Sequence, residues 1–223
     1  MKLIIFDIDG TLCHSKYVDD RCFIRAFEIV LGTKLKNTDW NSYGHATELH
    51  ITKQILNDLK ENSDIGTINK IINAYTDELK TSLEKIENSF IVIPGARELF
   101  EYLINHKDYK VGIATGGFLK PAKYKLSALG FNIQDIKIYS SDSINTKYEI
   151  ISLLIENYKE IFDISHFNKV FYVGDREYDY STTVELGINF IGIDYEKNNK
   201  LRELGLENII NNYDPMEKFL ALV

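Results

Sequence analysis

The sequence predicts an α/β protein, a Rossmann-like parallel sheet core flanked by helices with a small all-helical cap, and three observations carry that reading. Short apolar runs suited to buried strands recur at Leu3 to Phe6, Val111 to Ala114, Lys169 to Val173 and Ile188 to Ile193, with weaker candidates at Ile136 to Tyr139 and Asn208 to Ile210. Helical stripes lie between most of them, and strands alternating with helices imply a parallel sheet covered on both faces. One long interval, Ser15 to Ile93, breaks the rhythm with three amphipathic helices and no confident strand.

The first run, Leu3 to Phe6, is too short for anything but a strand, and Asp7 ends it. The long interval then spaces Phe23, Ala26, Phe27, Val30 and Leu31 on one helix face, Thr52, Ile55, Leu56 and Leu59 on a second, and Ile68, Ile71, Ile72, Tyr75 and Leu79 on a third. Three such faces can bury one another as a bundle, so the aromatic stripes read as bundle core. This segment holds ten Lys or Arg against twelve Asp or Glu, so it is no basic arm. Pro94-Gly95 marks the return to the core, which sets the expected division at 1–14 and 94–223 for the core and 15–93 for the cap. Beyond it, Leu99, Phe100, Leu103 and Ile104 form one helical stripe, and Ile151, Leu154, Ile155 and Tyr158 another.

Composition narrows the function. The 223 residues are 44% hydrophobic and 26% charged, enough to bury a large interior. A net charge of −7, with no block of lysine or arginine, argues against a nucleic-acid polymer as partner. No apolar run approaches the roughly 20 residues that span a bilayer, so no membrane partner is expected. Two cysteines, Cys13 and Cys22, form neither a disulfide framework nor a CxxC pair, which fits a reducing, cytoplasmic setting. Oligomeric state is not written in the chain.

The chemistry lies at the expected strand ends. Asp7, Asp9, Gly10 and Thr11 follow the first strand; Thr115, Gly116 and Gly117 follow the second; Gly174, Asp175 and Asp179 follow the run at Lys169 to Val173. Asn145-Thr146-Lys147 opens a long helix. In a parallel sheet the strand carboxyl ends share one edge, so these clusters meet there. Carboxylates crowded at one point need a cation, and magnesium takes oxygen ligands plus a substrate phosphate. Asp7 and Asp175, with Asp179 directly or through water, supply that shell. Thr115, the backbone N–H groups of glycines such as Gly116, and Lys147 would then receive the phosphate of a small phosphorylated metabolite. Asp7, leaving the strand first, is placed to attack phosphorus, and Asp9 to pass a proton to the departing oxygen. Lys120, Lys123, Lys125 and Lys137 compete with Lys147 for the phosphate, and Lys147 is preferred because it begins a helix.

Asp7-Ile8-Asp9-Gly10-Thr11 resembles the DxDGT signature of the haloacid dehalogenase-like hydrolase superfamily. Thr115, Lys147 and Gly174-Asp175-Arg176-Glu177-Tyr178-Asp179 resemble its second, third and GDxxxD fourth motifs, in the same order. A helical insertion after the first strand looks like the phosphoglycolate phosphatase-like branch. The resemblance implies Asp7 as nucleophile, Asp9 as general acid/base, Thr115 and Lys147 on phosphate, and Mg2+ held by Asp175, Asp179, Asp7 and the backbone carbonyl of Asp9. The expected function is therefore a Mg-dependent phosphomonoester hydrolase working through an aspartyl-phosphate. A haloacid dehalogenase has no alkoxide to protonate, so Asp9 argues against it. A phosphosugar mutase would use the same acids, and a non-catalytic binding module would not need them. Cys13, His14, His45 and His50 would make a zinc site only by a convergence their spacing does not predict. His45, beside Gly44 and Thr47, reads as surface loop.

Overall fold

The computed structural model describes residues 1–14, 16–43, 47–85 and 90–223. Strand β1 (Lys2–Phe6) leads through a tight turn to β2 (Cys13–His14) and helix α1 (Lys16–Leu31). A single 3-10 turn at Trp40–Ser42, α2 (Glu48–Asp58) and α3 (Ile65–Lys85) complete the insertion, which closes at β3 (Ile91–Val92). Then come α4 (Ala96–Asn105), β4 (Tyr109–Ala114), α5 (Leu119–Ala128), β5 (Ile138–Tyr139), α6 (Lys147–Phe162) and β6 (Lys169–Gly174). The chain ends with α7 (Glu177–Leu186), β7 (Asn189–Ile193), α8 (Lys200–Glu203), β8 (Ile209–Ile210) and α9 (Glu217–Leu220).

The main sheet has the order β5-β4-β1-β6-β7-β8, and its described pairings are all parallel. Strand β1 alternates as a central strand must, sending Ile4 and Phe6 into a cluster with Leu99, Phe100 and Phe219, and Leu3 and Ile5 into one with Ile151, Leu154 and Tyr172. Both faces are thus buried, and every β1 residue from Leu3 to Phe6 is solvent-free. The register sets Phe6 opposite Ile113 on one side and Val173 on the other. The carboxyl ends of β1, β4 and β6 therefore finish level, and the residues that follow them share one rim.

Helices α1, α2 and α3 bury Phe23, Phe27, Leu56, Ile71, Tyr75 and Leu79 in a cluster of their own, which takes in Phe118 from the start of α5. Hydrophobic burial of about 1.5–3 kcal/mol for each such side chain holds the bundle together. The antiparallel β2/β3 ribbon, pairing Cys13 with Val92 and His14 with Ile91, carries the chain into and out of it. No confident strand is expected from the sequence between Ser15 and Ile93, and β3 at Ile91–Val92 corrects that. Two-residue strands show no periodicity, and Ile91 is 41% exposed, so no burial pattern announces them.

Candidate active site

Asp7 is the first residue past β1, and its backbone N–H still donates to Val173 O at 2.9 Å. Its carboxylate is thereby fixed at the rim, buried to 6% exposure. Gly10 closes the following turn at φ +79°, where a Cβ would run into the Asp175 carboxylate, so only glycine lets these two loops meet. Gly174 serves likewise: a Cβ there would collide with the Asp179 carboxylate.

Asp7, Asp175 and Asp179 each offer an oxygen, and the three lie within 4.8 Å of one another. Lys147, the first residue of α6, extends its Nζ to 3.0 Å from Asp7 Oδ2 and 2.6 Å from Asp179 Oδ1. Its helix starts there because Thr146 caps it, the Thr146 Oγ1 accepting the Glu149 N–H. The other Asp179 oxygen accepts the backbone N–H groups of Asp175, at 3.1 Å, and Arg176, at 3.2 Å. Asp179 is thus fully buried and holds both Lys147 and the loop bearing Asp175. By contrast Asp175 Oδ1 is buried with no hydrogen-bond partner.

Electrostatics follow from this crowding. Burial is the largest influence on Asp7 and raises it to about 6, the Asp179 charge adding to the rise and Lys147 opposing it. Burial likewise pushes Asp175 up to about 8, with Arg176 pulling down and Asp179 and Asp7 pushing up. Burial works against the Lys147 charge, but the carboxylates of Asp179 and Asp7 outweigh it and raise the ammonium pKa. Carboxylates held partly protonated beside an unsatisfied oxygen are what a hard cation would relieve, so the donor set fits Mg2+. Among the described residues this trio is the group of His, Cys, Asp or Glu that can hold a metal. Cys13 instead turns its Sγ to Ile8 O at 3.8 Å, and His14 pairs with Glu196 at 3.7 Å. Gly44 and His45 lie outside the described residues.

A cavity of about 240 Å3 opens over the rim. Asp7, Asp9, Thr115, Gly116, Lys147 and Asp179 line its floor, and Asp19, Asp20, Phe23, Trp40, Glu48 and Tyr75 its roof. The Thr115 Oγ1 is held by the Gly117 N–H at 3.1 Å, and Gly116 O accepts the Glu48 N–H at 2.8 Å. The aromatics of the helical bundle are therefore not bundle core alone: Phe23 and Tyr75 pack with centroids 5.3 Å apart and also face the cavity. Arg176 and Tyr178 line it as well. Nothing in the sequence distinguishes either from a helix-start residue.

A second lysine also reaches the floor. Lys125 on α5 is 3% exposed, its Nζ 2.6 Å from Asp9 Oδ2 and 2.7 Å from Asp19 Oδ2. Of the lysines that compete for the rim in the sequence, Lys147 pairs with Asp7 and Asp179, and Lys125 pairs with Asp9 and Asp19. A signal was present: Lys125 falls on the same α5 face as the buried Pro121, Ala122 and Leu126, where a solvated lysine does not belong. Glu48, at the start of α2, accepts the Phe118 N–H at 2.7 Å, and burial raises it to about 7.

The chain belongs to the haloacid dehalogenase-like hydrolase family, whose model matches residues 4–193. Among solved structures it is similar to a hydrolase from Pseudomonas syringae, at 18% identity and TM-score 0.70, with 100% of this chain and 99% of that one covered. It is also similar to a predicted phosphatase from Clostridium acetobutylicum, at 18% identity and TM-score 0.66, covering 100% and 99%. CbbY from Rhodobacter sphaeroides in complex with phosphate is similar at 18% identity and TM-score 0.64, with 86% of this chain and 85% of that one covered. No curated protein matches the chain.

Proposed function

We propose that the protein is a magnesium-dependent phosphatase that removes phosphate from a small phosphorylated metabolite through a phosphoaspartate at Asp7. The observation that carries this reading is the pairing of three clustered carboxylates with one buried lysine at a rim under a cavity. Family membership supports hydrolysis, and the phosphate bound by the CbbY neighbour supports the substrate type.

Asp7, Asp175 and the backbone carbonyl of Asp9 would hold Mg2+, with Asp179 fixing the loop that presents Asp175. Bound there, the ion would offset the carboxylate charge and polarise a phosphoryl oxygen. Lys147 and Thr115 receive the phosphate as point charge and hydroxyl, and Gly116 offers its backbone. An Asp7 oxygen forms the new bond to phosphorus while the ester oxygen leaves with the proton of Asp9. Water then attacks the acyl phosphate, giving its proton to Asp9, and Asp7 returns as a carboxylate. We read residues 15–93 as the cap, whose docking excludes bulk water from these steps. Among the described residues no helix is long and apolar enough to cross a membrane.

Hydrolysis of 4-nitrophenyl phosphate, with Mg2+ and with a chelator, tests the reading. Turnover that the chelator abolishes is expected. Turnover unaffected by chelation would remove the metal from the account, and a panel of phosphorylated sugars, nucleotides and short acids would then rank substrates.

A further inference from the structure

Lys125 has no part in the proposed hydrolysis, yet it is a buried polar link between the floor and the roof of the cavity. Its Nζ touches Asp9 Oδ2 at 2.6 Å on the floor and Asp19 Oδ2 at 2.7 Å on helix α1 of the roof. Asp19 is itself pinned: the Tyr75 O–H, from α3, donates to its Oδ1 at 3.0 Å. The chain Asp9–Lys125–Asp19–Tyr75 therefore runs from the catalytic loop through α5 into both long helices of the bundle. Lys125 and Tyr75 are buried and Asp19 nearly so, whereas the Asp9 side chain keeps 27% of its surface open. The most open member of this chain is the Asp9 carboxylate, which lines the cavity. Its second oxygen, Oδ1, lies 4.0 Å from Cys13 Sγ, at the start of the β2/β3 ribbon.

We propose that Lys125 and Asp19 are positioning residues for Asp9, which place its carboxylate for proton transfer only while α1 is seated over the cavity. The inference rests on the phosphatase reading and on Asp9 as proton donor. A planar carboxylate on a rotatable bond has other rotamers, and an ion pair of 2.6 Å to a buried ammonium selects one of them. Because the anchor beyond the lysine belongs to α1, unseating the bundle removes half of the clamp. Proton transfer to the leaving group is thereby tied to a covered site, where water competes least.

The leaving group gives the test. Phenolate needs a proton far more than 4-nitrophenolate, while the two esters have nearly the same shape. We expect Lys125→Gln and Asp19→Asn to lower kcat/KM for phenyl phosphate about tenfold or more beyond any loss on 4-nitrophenyl phosphate, as the loss of a positioned general acid would. Asp9→Asn should show the same selectivity more strongly. Asp19→Asn keeps the shape of its site, so it carries the test if Lys125→Gln unfolds; thermal midpoints report which variants remain folded. Equal losses on both esters, or no loss on either, in a folded variant whose Asp9→Asn counterpart is selective would overturn the inference. Wild-type protein inactive toward both esters with Mg2+ would overturn the phosphatase reading instead.

Discussion

Lys147 and Lys125 are both buried, both shared between two aspartates, and both within hydrogen-bond distance of an acid of the DxD pair, yet they belong to different regions. Lys147 starts a core helix and ties Asp7 to Asp179, so both of its partners belong to the rim of the sheet. Lys125 ties the rim to the bundle, since Asp19 lies on α1. Each lysine is buried, and its removal strands two carboxylates, an effect that costs about 3–5 kcal/mol for a buried pair such as Lys147 with Asp179 and less at Asp9, which keeps 27% of its side chain open. What separates them is what moves with them. The first pair is rigid with the sheet, and the second is only as fixed as the bundle that bears Asp19.

The largest effect sharpens the nucleophile side. Asp7→Asn should reduce turnover by about 10^4-fold or more, because the acyl phosphate can no longer form. Its unfolding midpoint should be unchanged or slightly raised, because one buried carboxylate beside Asp175 and Asp179 has been neutralised. Lys147→Met should come next, with a loss of about 10^2–10^3 in kcat that is the same for good and poor leaving groups. It should also destabilise the fold by about 3–5 kcal/mol in denaturant titrations, since Asp7 and Asp179 lose their counter-charge. A leaving-group dependence in Lys147→Met would erase the contrast between the two lysines.

A smaller effect concerns pH and metal. Asp7 at about 6 and Asp175 at about 8 both lie above the ordinary carboxylate value of 3.8. The folded state therefore binds protons more tightly than the unfolded one, and their contribution to stability falls as pH rises from about 4 to about 8. With chelator present, the thermal midpoint should drop across that window. Magnesium should raise it little at pH 5 and more at pH 8, and an equal shift at both would place the ion elsewhere. Smallest is Lys120→Ala, which cuts an exposed floor-to-roof contact, Lys120 Nζ to Asn73 Oδ1 at 2.6 Å. Exposed polar links contribute less than about 1 kcal/mol, so stability should hardly change.

Much of the rim is legible in the sequence because it is local. Asp7, Thr115 and Asp175 each stand within two residues of the end of a buried apolar run, and parallel pairing aligns those ends without further information. Lys147 is legible through its place after the Thr146 cap. The roof is another matter. Lys125, Asp19 and Tyr75 are separated by up to 106 positions and meet only because α5 docks against α3, which packs on α1. A helix written Leu119-Lys120-Pro121-Ala122-Lys123-Tyr124-Lys125 reads as a solvated basic face until its buried side is known. Arg176 and Tyr178 stay hidden for the same reason, since only the folded loop turns them toward the cavity.

At the centre of this account, Asp7 becomes phosphorylated while Lys147 and Thr115 hold the phosphoryl group. Acid quenching of the enzyme during turnover of a 32P-labelled phosphate ester, followed by peptide mapping, measures this directly. Label retained on the peptide containing Asp7, and absent from Asp7→Asn, is the predicted result. Turnover at full rate with no label on that peptide, or label that persists in Asp7→Asn, would contradict it.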